Sequence, residues 1–541
     1  MKTALFSLSL VALLTPLLRA DVALPVIFSD HMVLQQGRAV PIWGTATAGE
    51  DVTVTFAGQT LKTKADGAGK WKTELASLPA NAQPADLTVA GKNTITLKDV
   101  LVGEVWICSG QSNMQWTVSQ AANAEAEAAA ANYPQIRMFN VERIVAKAPG
   151  GDCKGQWFVT TPQTVGQFSA VGFFFGRHLH QALKVPVGLI NTSWGGTRVE
   201  AWTSIEALKE RPCARDMLKD WKDVLAKWDD AKEKAAFEKR TADWKAQVAK
   251  INADNAKLPA GKPKAPLPPS PRPSENPNAT PHYPSVLFNG MVAPLIPYAF
   301  QGAIWYQGES NQRRAFQYQE LLPTMINDWR KRWSSEFPFY IVQLAAFGNG
   351  QPITKEPGQA DTWAELQEAQ LLTAQTLPKT GIAVINDIGE VGNIHPKNKQ
   401  EVGRRLALWA LAKDYARANT VFSGPLYKSS AIKGNRVHVQ FDYIGSGLKT
   451  RNGEAPGPFQ IAGADGKWVW AKAKIEGDEV IVWADAVKAP IGVRYAWAAW
   501  PEGVNLINKE GLPASCFRTD DLPPSTLGVV SPFAENLPSK K

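Results

Sequence analysis

From residue 24 to about 100, apolar and polar positions alternate in short runs: "AVPIWGTA", "EDVTVTFAG", "QTLKTKADGAGKWKTEL" and "DLTVAGKNTITLKDV". Period two, broken at close intervals by Gly and Asp, predicts a small β-sandwich over 21–100. From about 101 to 415 the pattern changes. Solid apolar runs ("EVWICSG", "IRMFNV", "VPVGLINTSWGG", "AIWYQGES", "FYIVQLA", "GIAVINDIG") alternate with stretches of helical spacing such as "FSAVGFFFGRHLHQAL" and "AELQEAQLLTAQTL". A strand that is apolar on both faces needs helices on both sides, so this alternation predicts an α/β domain built on a parallel sheet. Period two returns after about 418 in "RVHVQFDY", "PFQIAGADGKWVWAKAKI", "EVIVWADAV" and "GVRYAWAAW", which predicts a C-terminal β domain over 416–541.

Inside the α/β stretch, residues 205–285 break the pattern. Trp221, Val224, Leu225 and Trp228 fall at helical spacing, and "LPAGKPKAPLPPSPRPSENPNATP" follows as a stiff Pro-rich connection. The segment reads as an inserted helical hairpin that either caps a site or decorates the surface.

The N-terminus, "MKTALFSLSLVALLTPLLRA", has Lys2, an apolar stretch and a small residue at Ala20, the pattern of a secretory leader over 1–20. An exported chain, periplasmic or extracellular, is the expectation, with no membrane span after the leader. Composition agrees with a globular protein: 44% hydrophobic and 20% charged over 541 residues, enough for two to four domains. The net charge of +9 is spread along the chain without a basic stripe, so nucleic acid is not an expected partner. Four cysteines are too scattered for a disulfide framework, and Cys108, on a predicted strand, reads as a buried free thiol.

Candidate chemistry gathers at the predicted strand ends, where parallel sheets place their sites. In "ICSGQSNMQW", Ser112 stands in a small polar loop between a buried strand and a helix-prone stretch; taken alone, it is as good a helix N-cap as a nucleophile. In "NTSWGGTRVEAW", Gly195 and Gly196 let a backbone N–H approach an oxyanion, or simply make a tight turn. "WYQGESN" offers the Gln307 amide and the Glu309 carboxylate. Of six histidines, His395 alone sits in a polar loop after a predicted strand, the setting of a general base. Serine needs such a base and its tetrahedral intermediate needs donors; Ser112, His395, a Gly amide and Gln307 supply both.

Together "GEVWICSGQSNMQW", "NTSWGGTRVEAW", "WYQGESN" and "IHPKNKQEVGRRLA" resemble, in the same order, the blocks of sialate O-acetylesterases, a branch of the SGNH (GDSL-like) hydrolases related to acetyl xylan esterases. The flanks "LPVIFSDHMVLQQG" and "VRYAW…PEGVNL" extend the resemblance over nearly the whole mature chain. It implies a flavodoxin-like α/β core with flanking β domains and a serine esterase acting on acetylated sugars. It also implies Ser112 as nucleophile, His395 as base, an oxyanion hole from the Ser112 and Gly195 or Gly196 amides with Gln307, and no metal or organic cofactor. Arg198, beside the Gly pair, is placed to meet a sialic acid carboxylate, with Asn113 and Asn311 as further substrate-binding candidates.

The chain departs from the superfamily at one point. The Asp usual two or three residues before the His is replaced by Gly392 and Asn393, so the group orienting His395 is open. Glu309 comes first, by analogy with the QGE glutamate of related acetyl xylan esterases. Asp387 and Glu390 follow, and a Ser–His dyad held by a backbone carbonyl is the remaining case. Two other functions fit the same residues: deacetylation of a neutral polysaccharide such as acetyl xylan, and glycan binding without catalysis.

Overall fold

One strand organises the molecule. In the computed structural model, which describes residues 21–259, 261–348 and 356–533, the chain runs as a single 17-residue strand over Thr94–Gly110. The expected leader lies outside the described residues. Thr94, Thr96 and Lys98 face water, but from Val100 onward every position is buried. The residues dictate the change: only Glu104 and Ser109 in that second half demand polar company; Glu104 accepts bonds from Gln35, Gln36 and the Tyr415 hydroxyl, and Ser109 donates to the Thr192 carbonyl.

The first half of this strand belongs to the N-terminal β region. It pairs with Val33–Gln35 and with Asn81–Ala90, which pairs in turn with Asp51–Phe56 of the hairpin Asp51–Phe56/Gln59–Lys64. A second pair, Val40–Thr45 with Lys70–Leu75, makes a separate small sheet. The strand therefore runs from one β region straight into the next, and Val52, Val54 and Val89 share one continuous core with Trp106 and Ile304.

The second half is the centre of a parallel sheet. From it the chain goes outward to Tyr133–Asn140, returns to Val187–Ser193 between the two, and then crosses to the other side for Gly302–Tyr306, Phe339–Val342 and Thr380–Ala383. Trp157–Thr160 runs antiparallel at the edge beside Tyr133–Asn140. Connections thus leave the central strand in opposite directions, which opens a crevice at its carboxyl end. Register brings three strand ends to one level there, since Gly110 pairs with Ser193 on one side and with Tyr306 on the other.

Helices cover both faces, as the apolar runs require. Trp106 meets Phe175 of the helix Ala170–Leu183. Trp305, in register with Ser109 and so facing the opposite way, meets Trp329 of Ala315–Trp333. Thr362–Thr376 packs beside the latter and Lys399–Lys413 beside the former.

The C-terminal region is a seven-stranded antiparallel sheet, from Leu426–Lys433 at one edge to Phe517–Arg518 at the other, around a core of Val439, Ile461, Val480, Val482, Val493 and Tyr495. In the insertion, the helix Arg215–Lys227 buries Met217 and Trp221, the latter against Tyr283 and Phe533. The next helix, Asp230–Ala256, buries no residue, so the hairpin docks by one arm only. All four cysteines are free thiols, and burial pushes the pKa of Cys108 up. Among the described residues no helix is long and apolar enough to cross a membrane.

Candidate active site

Gly110 ends the central strand at φ +138°, and a Cβ there would lie 2.2 Å from the Tyr306 carbonyl oxygen, so the chain can turn here only on a glycine. Gln111 follows, its amide donating to that carbonyl at 2.9 Å, and a short helix begins at Ser112. Ser112 is not the cap of this helix: Gln111 holds the cap position and makes no side-chain cap bond. The serine hydroxyl is left for another partner, and its Oγ lies 2.8 Å from His395 Nε2.

His395 comes from the loop between Thr380–Ala383 and Lys399–Lys413, and three contacts place it. Its amide donates to Asn393 Oδ1 at 3.0 Å. Its ring stacks on Trp116, with centroids 4.7 Å apart and planes inclined by 16°. Asn113 Nδ2 donates to the carbonyl of the preceding residue, Ile394, at 3.0 Å. Burial, aided by the nearby Lys399 cation, holds the imidazole pKa below its ordinary value. The ring is therefore neutral at neutral pH and able to take a proton from Ser112.

None of the expected carboxylates orients that ring. Glu309 Oε1 accepts from Asn113 Nδ2 at 2.6 Å, and its Oε2 is buried without a partner. Asp387 is bound on both oxygens by Arg405, at 2.6 and 2.8 Å, and by Arg451 at 2.7 Å. Its hydrogen-bond partners are thus two guanidinium groups and not the imidazole. Glu390 accepts from the Lys397 amide at 2.7 Å and from Asn393 Nδ2 at 3.1 Å. Asn393, in the place of the usual Asp, spends its carbonyl oxygen on the His395 backbone.

The oxyanion donors also differ from expectation. The Gly195 amide donates to Gln115 Oε1 at 2.7 Å. Gln307 is fully buried and commits both Nε2 hydrogens, to the Thr197 carbonyl at 3.1 Å and to Asn311 Oδ1 at 2.7 Å, while its oxygen accepts from Tyr318. A buried amide must satisfy all its hydrogens, and here the protein itself does so. That leaves the amides of Ser112 and Gly196, neither of which donates to a described group. Gly196 is exposed with φ +75°, a conformation that favours glycine.

Two proposed substrate contacts are structural. Asn113 is 1% exposed and wholly occupied, by Glu309, the Ile394 carbonyl and Lys399. Asn311, 0% exposed, accepts from the Val199 amide and Gln307 and donates to Glu200. Arg198 is half-buried, and its charge helps hold Glu200 ionised. The insertion reaches this side of the site: a methyl on Gly196 would come 4.0 Å from His282 Cε1.

Three residues beside the Ser–His pair were not anticipated. Gln115 lies one helical turn after Ser112, on the same face, a spacing visible in "SNMQ". Trp116, next in the chain, is the plate under the imidazole. Lys399 is fully buried, donates to Asn113 Oδ1, and burial brings its pKa down to about 7. Nothing in "HPKNK" marks a lysine for burial. Among the described residues no three His, Cys, Asp or Glu side chains converge to hold a metal ion.

Comparison with known proteins gives a consistent set of relatives. The sequence profile of a family described as carbohydrate esterase, sialic acid-specific acetylesterase, matches residues 102–238 and 283–408. The gap falls within the insertion. The chain is 30% identical to a sialate O-acetylesterase of Rattus norvegicus over 87% of its own length and 89% of the relative's. It is 29% identical to the enzyme of the same name from Homo sapiens, over 87% of each chain. The crystal structure of a carbohydrate acetylesterase from Xanthomonas citri superimposes with a TM-score of 0.76 at 35% identity, covering 93% of this chain and 100% of that one.

Proposed function

This chain belongs to the sialic acid-specific acetylesterases, a family of carbohydrate esterases, and we propose that it is an exported serine O-acetylesterase whose first substrate is O-acetylated sialic acid. The observation that carries the mechanism is the 2.8 Å contact between Ser112 Oγ and His395 Nε2 beside two amides with no other partner. In this reading His395 takes the Ser112 proton as Oγ attacks the acetyl carbonyl carbon. The Ser112 and Gly196 amides receive the negative charge that develops on the carbonyl oxygen. The sugar oxygen leaves with the proton from His395, and an acetyl-serine remains. Water then repeats the sequence: His395 takes its proton, the oxygen adds to the acetyl carbon, and acetate departs as Ser112 regains its hydrogen. Export rests on the leader-like first 20 residues.

A second reading, deacetylation of a neutral polysaccharide, draws support from Arg198. Its charge already acts on Glu200, so it is a poorer partner for a sugar carboxylate than an uncommitted arginine would be. Acetate release from 9-O-acetylated sialic acid and from acetyl xylan, measured in parallel for the wild type and Ser112→Ala, separates these cases. Turnover of the sialic acid substrate by the wild type alone is the expected result. Preference for acetyl xylan moves the substrate to the second reading, and full turnover by a folded Ser112→Ala variant removes the serine mechanism.

A further inference from the structure

Lys399 stands where elementary electrostatics disfavours it. It is the first residue of the helix Lys399–Lys413, capped by Asn398, so its ammonium lies at the end where the helix dipole repels a cation. Its side chain is fully buried, which adds the cost of desolvation. A charge kept in such a place needs partners, and the partners here lead to the catalytic pair.

Lys399 Nζ donates to Asn113 Oδ1. Asn113 Nδ2 donates one hydrogen to Glu309 Oε1 at 2.6 Å and the other to the Ile394 carbonyl at 3.0 Å. Asn113 follows Ser112 in the chain and Ile394 precedes His395, so one side-chain amide bridges the neighbours of the nucleophile and of the base. The amide has only one workable orientation. Turned over, it would present its NH₂ to an ammonium and its oxygen to a carboxylate, and it would lose the bond to Ile394. The Lys399 ammonium also lies 5.1 Å from the centre of the Tyr306 ring, over its face, which fixes it from the sheet side.

We propose that Glu309, Asn113 and Lys399 form a buried, charge-polarised clamp that sets His395 against Ser112, doing for the loop what a carboxylate on the imidazole does elsewhere. The proposal rests on the reading of Ser112 and His395 as nucleophile and base. All three are positioning residues, because none of them touches the reacting atoms. Glu309 thereby gains a role that reaches His395 through an amide and a backbone carbonyl rather than through a direct bond.

The groups facing Lys399 are Glu309 and Glu390, which favour its charge, and the His395 ring, whose protonation that charge opposes. Removing the cation therefore raises the His395 pKa. The experiment compares Lys399→Met, Asn113→Leu and the double variant Glu309→Gln/Lys399→Met by kcat, KM and the pH profile of kcat/KM, on acetate release from a small acetyl ester. A base misplaced by about an ångström costs ~10²-fold in kcat with little change in KM. Lys399→Met is expected to show such a loss, with the acid limb of kcat/KM moved to higher pH. The limb reads the removed charge alone, whereas the fall in kcat at unchanged KM reads the lost placement, which a lysine that only supports the fold would not produce.

Asn113→Leu is expected to lose kcat to a similar degree while circular dichroism stays native, because leucine fills a similar volume and burial already moves Glu309 and Lys399 toward their neutral forms. The double variant, free of the stranded carboxylate, is expected to be better folded than Lys399→Met and to remain slow. If Lys399→Met does not fold, Asn113→Leu decides alone. Native kcat in a folded Asn113→Leu variant, or native kcat in a folded Lys399→Met variant, overturns the clamp. A Ser112→Ala variant that still turns over overturns the underlying reading instead, so the two failures are told apart.

Discussion

Replacing Arg314 by Met is expected to destabilise the α/β region far more than the loss of a surface ion pair would, and by an amount that depends on pH. Arg314 Nη2 lies 2.6 Å from Glu200 Oε1, and both side chains are 0% exposed. The second carboxylate oxygen accepts from Asn311 Nδ2 at 2.9 Å, and Arg314 Nη1 donates to Gln317 Oε1 at 2.7 Å. Methionine keeps the length of the arginine stem, so the perturbation is mainly electrical. An exposed pair contributes about 0–1 kcal/mol, but a buried carboxylate stripped of its partner costs about 3–5 kcal/mol, which is roughly 10²- to 10⁴-fold in the ratio of folded to unfolded protein.

The pH dependence follows from Glu200. Burial by itself raises its pKa, but the Arg314 and Arg198 charges and the Asn311 bond outweigh burial and hold it below the ordinary value. In the wild type its contribution to stability is complete above the unfolded pKa of about 4.3 and fades as pH falls through the lower folded value. Without Arg314 burial prevails, the folded pKa rises above the unfolded one, and stability is lost as pH rises through that window. The gap between the two proteins is therefore widest near neutrality and closes toward acid. Urea unfolding followed by tryptophan fluorescence at about pH 7.5 and about pH 4.5 measures it. Trp202, Trp305 and Trp329 stack edge to face beside this network and report its loss. A gap under about 1 kcal/mol, or one equal at the two pH values, refutes the reasoning.

Two further outcomes follow from the same geometry. Because burial and Lys399 hold the His395 pKa down and the base must be neutral, the acid limb of kcat/KM is expected below the ordinary histidine value of about 6.5; a midpoint at or above that value contradicts the assignment. Asp387→Asn is expected to leave kcat nearly unchanged, because its oxygens bind Arg405 and Arg451, yet to cost about 3 kcal/mol of stability by leaving two guanidinium groups short of charge. A large fall in kcat with native stability would return Asp387 to the imidazole.

Where period and composition set the answer, the chain could be read directly. The run "LVGEVWICSG" has almost nothing that tolerates water, so it had to become a central strand, and "AVGFFFGRHLHQAL" and "AELQEAQLLTAQT" carry helical spacing and are helices. What pattern did not reveal is continuity: Thr94–Gly110 changes from half-exposed to buried within one strand, because Asp99 takes a left-handed φ of +56° where the register with Asn81–Ala90 shifts, and the strand resumes at Val100 with new partners. The insertion was legible for a similar reason, with Trp221 buried as its spacing required. The second arm, Asp230–Ala256, has helical propensity and no face to bury.

The site was legible only to the depth of its loops. Strand ends placed Ser112, Gly196, Glu309 and His395 together, because four loops leave one edge of a parallel sheet at nearly the same level. Which donor meets which acceptor inside that crevice depends on differences of an ångström that no spacing carries. Gln307 and Asn311 look like groups offered to a ligand and are instead consumed by each other, since an amide at zero exposure must satisfy itself within the protein. Lys399 was invisible because a lysine in a polar run is ordinarily solvated, and the Asn113 oxygen and Tyr306 ring that hold it come from distant parts of the chain. The absence of a carboxylate on His395 has a chemical consequence. With a cation nearby and no anion on the ring, the imidazole is neutral at working pH but is a weaker base than one paired with aspartate. In the proposed mechanism proton transfer gains little from basicity, so the burden shifts to the 2.8 Å approach of Ser112 to His395 and to the uncommitted Ser112 and Gly196 amides, both of which depend on the loops staying where they are.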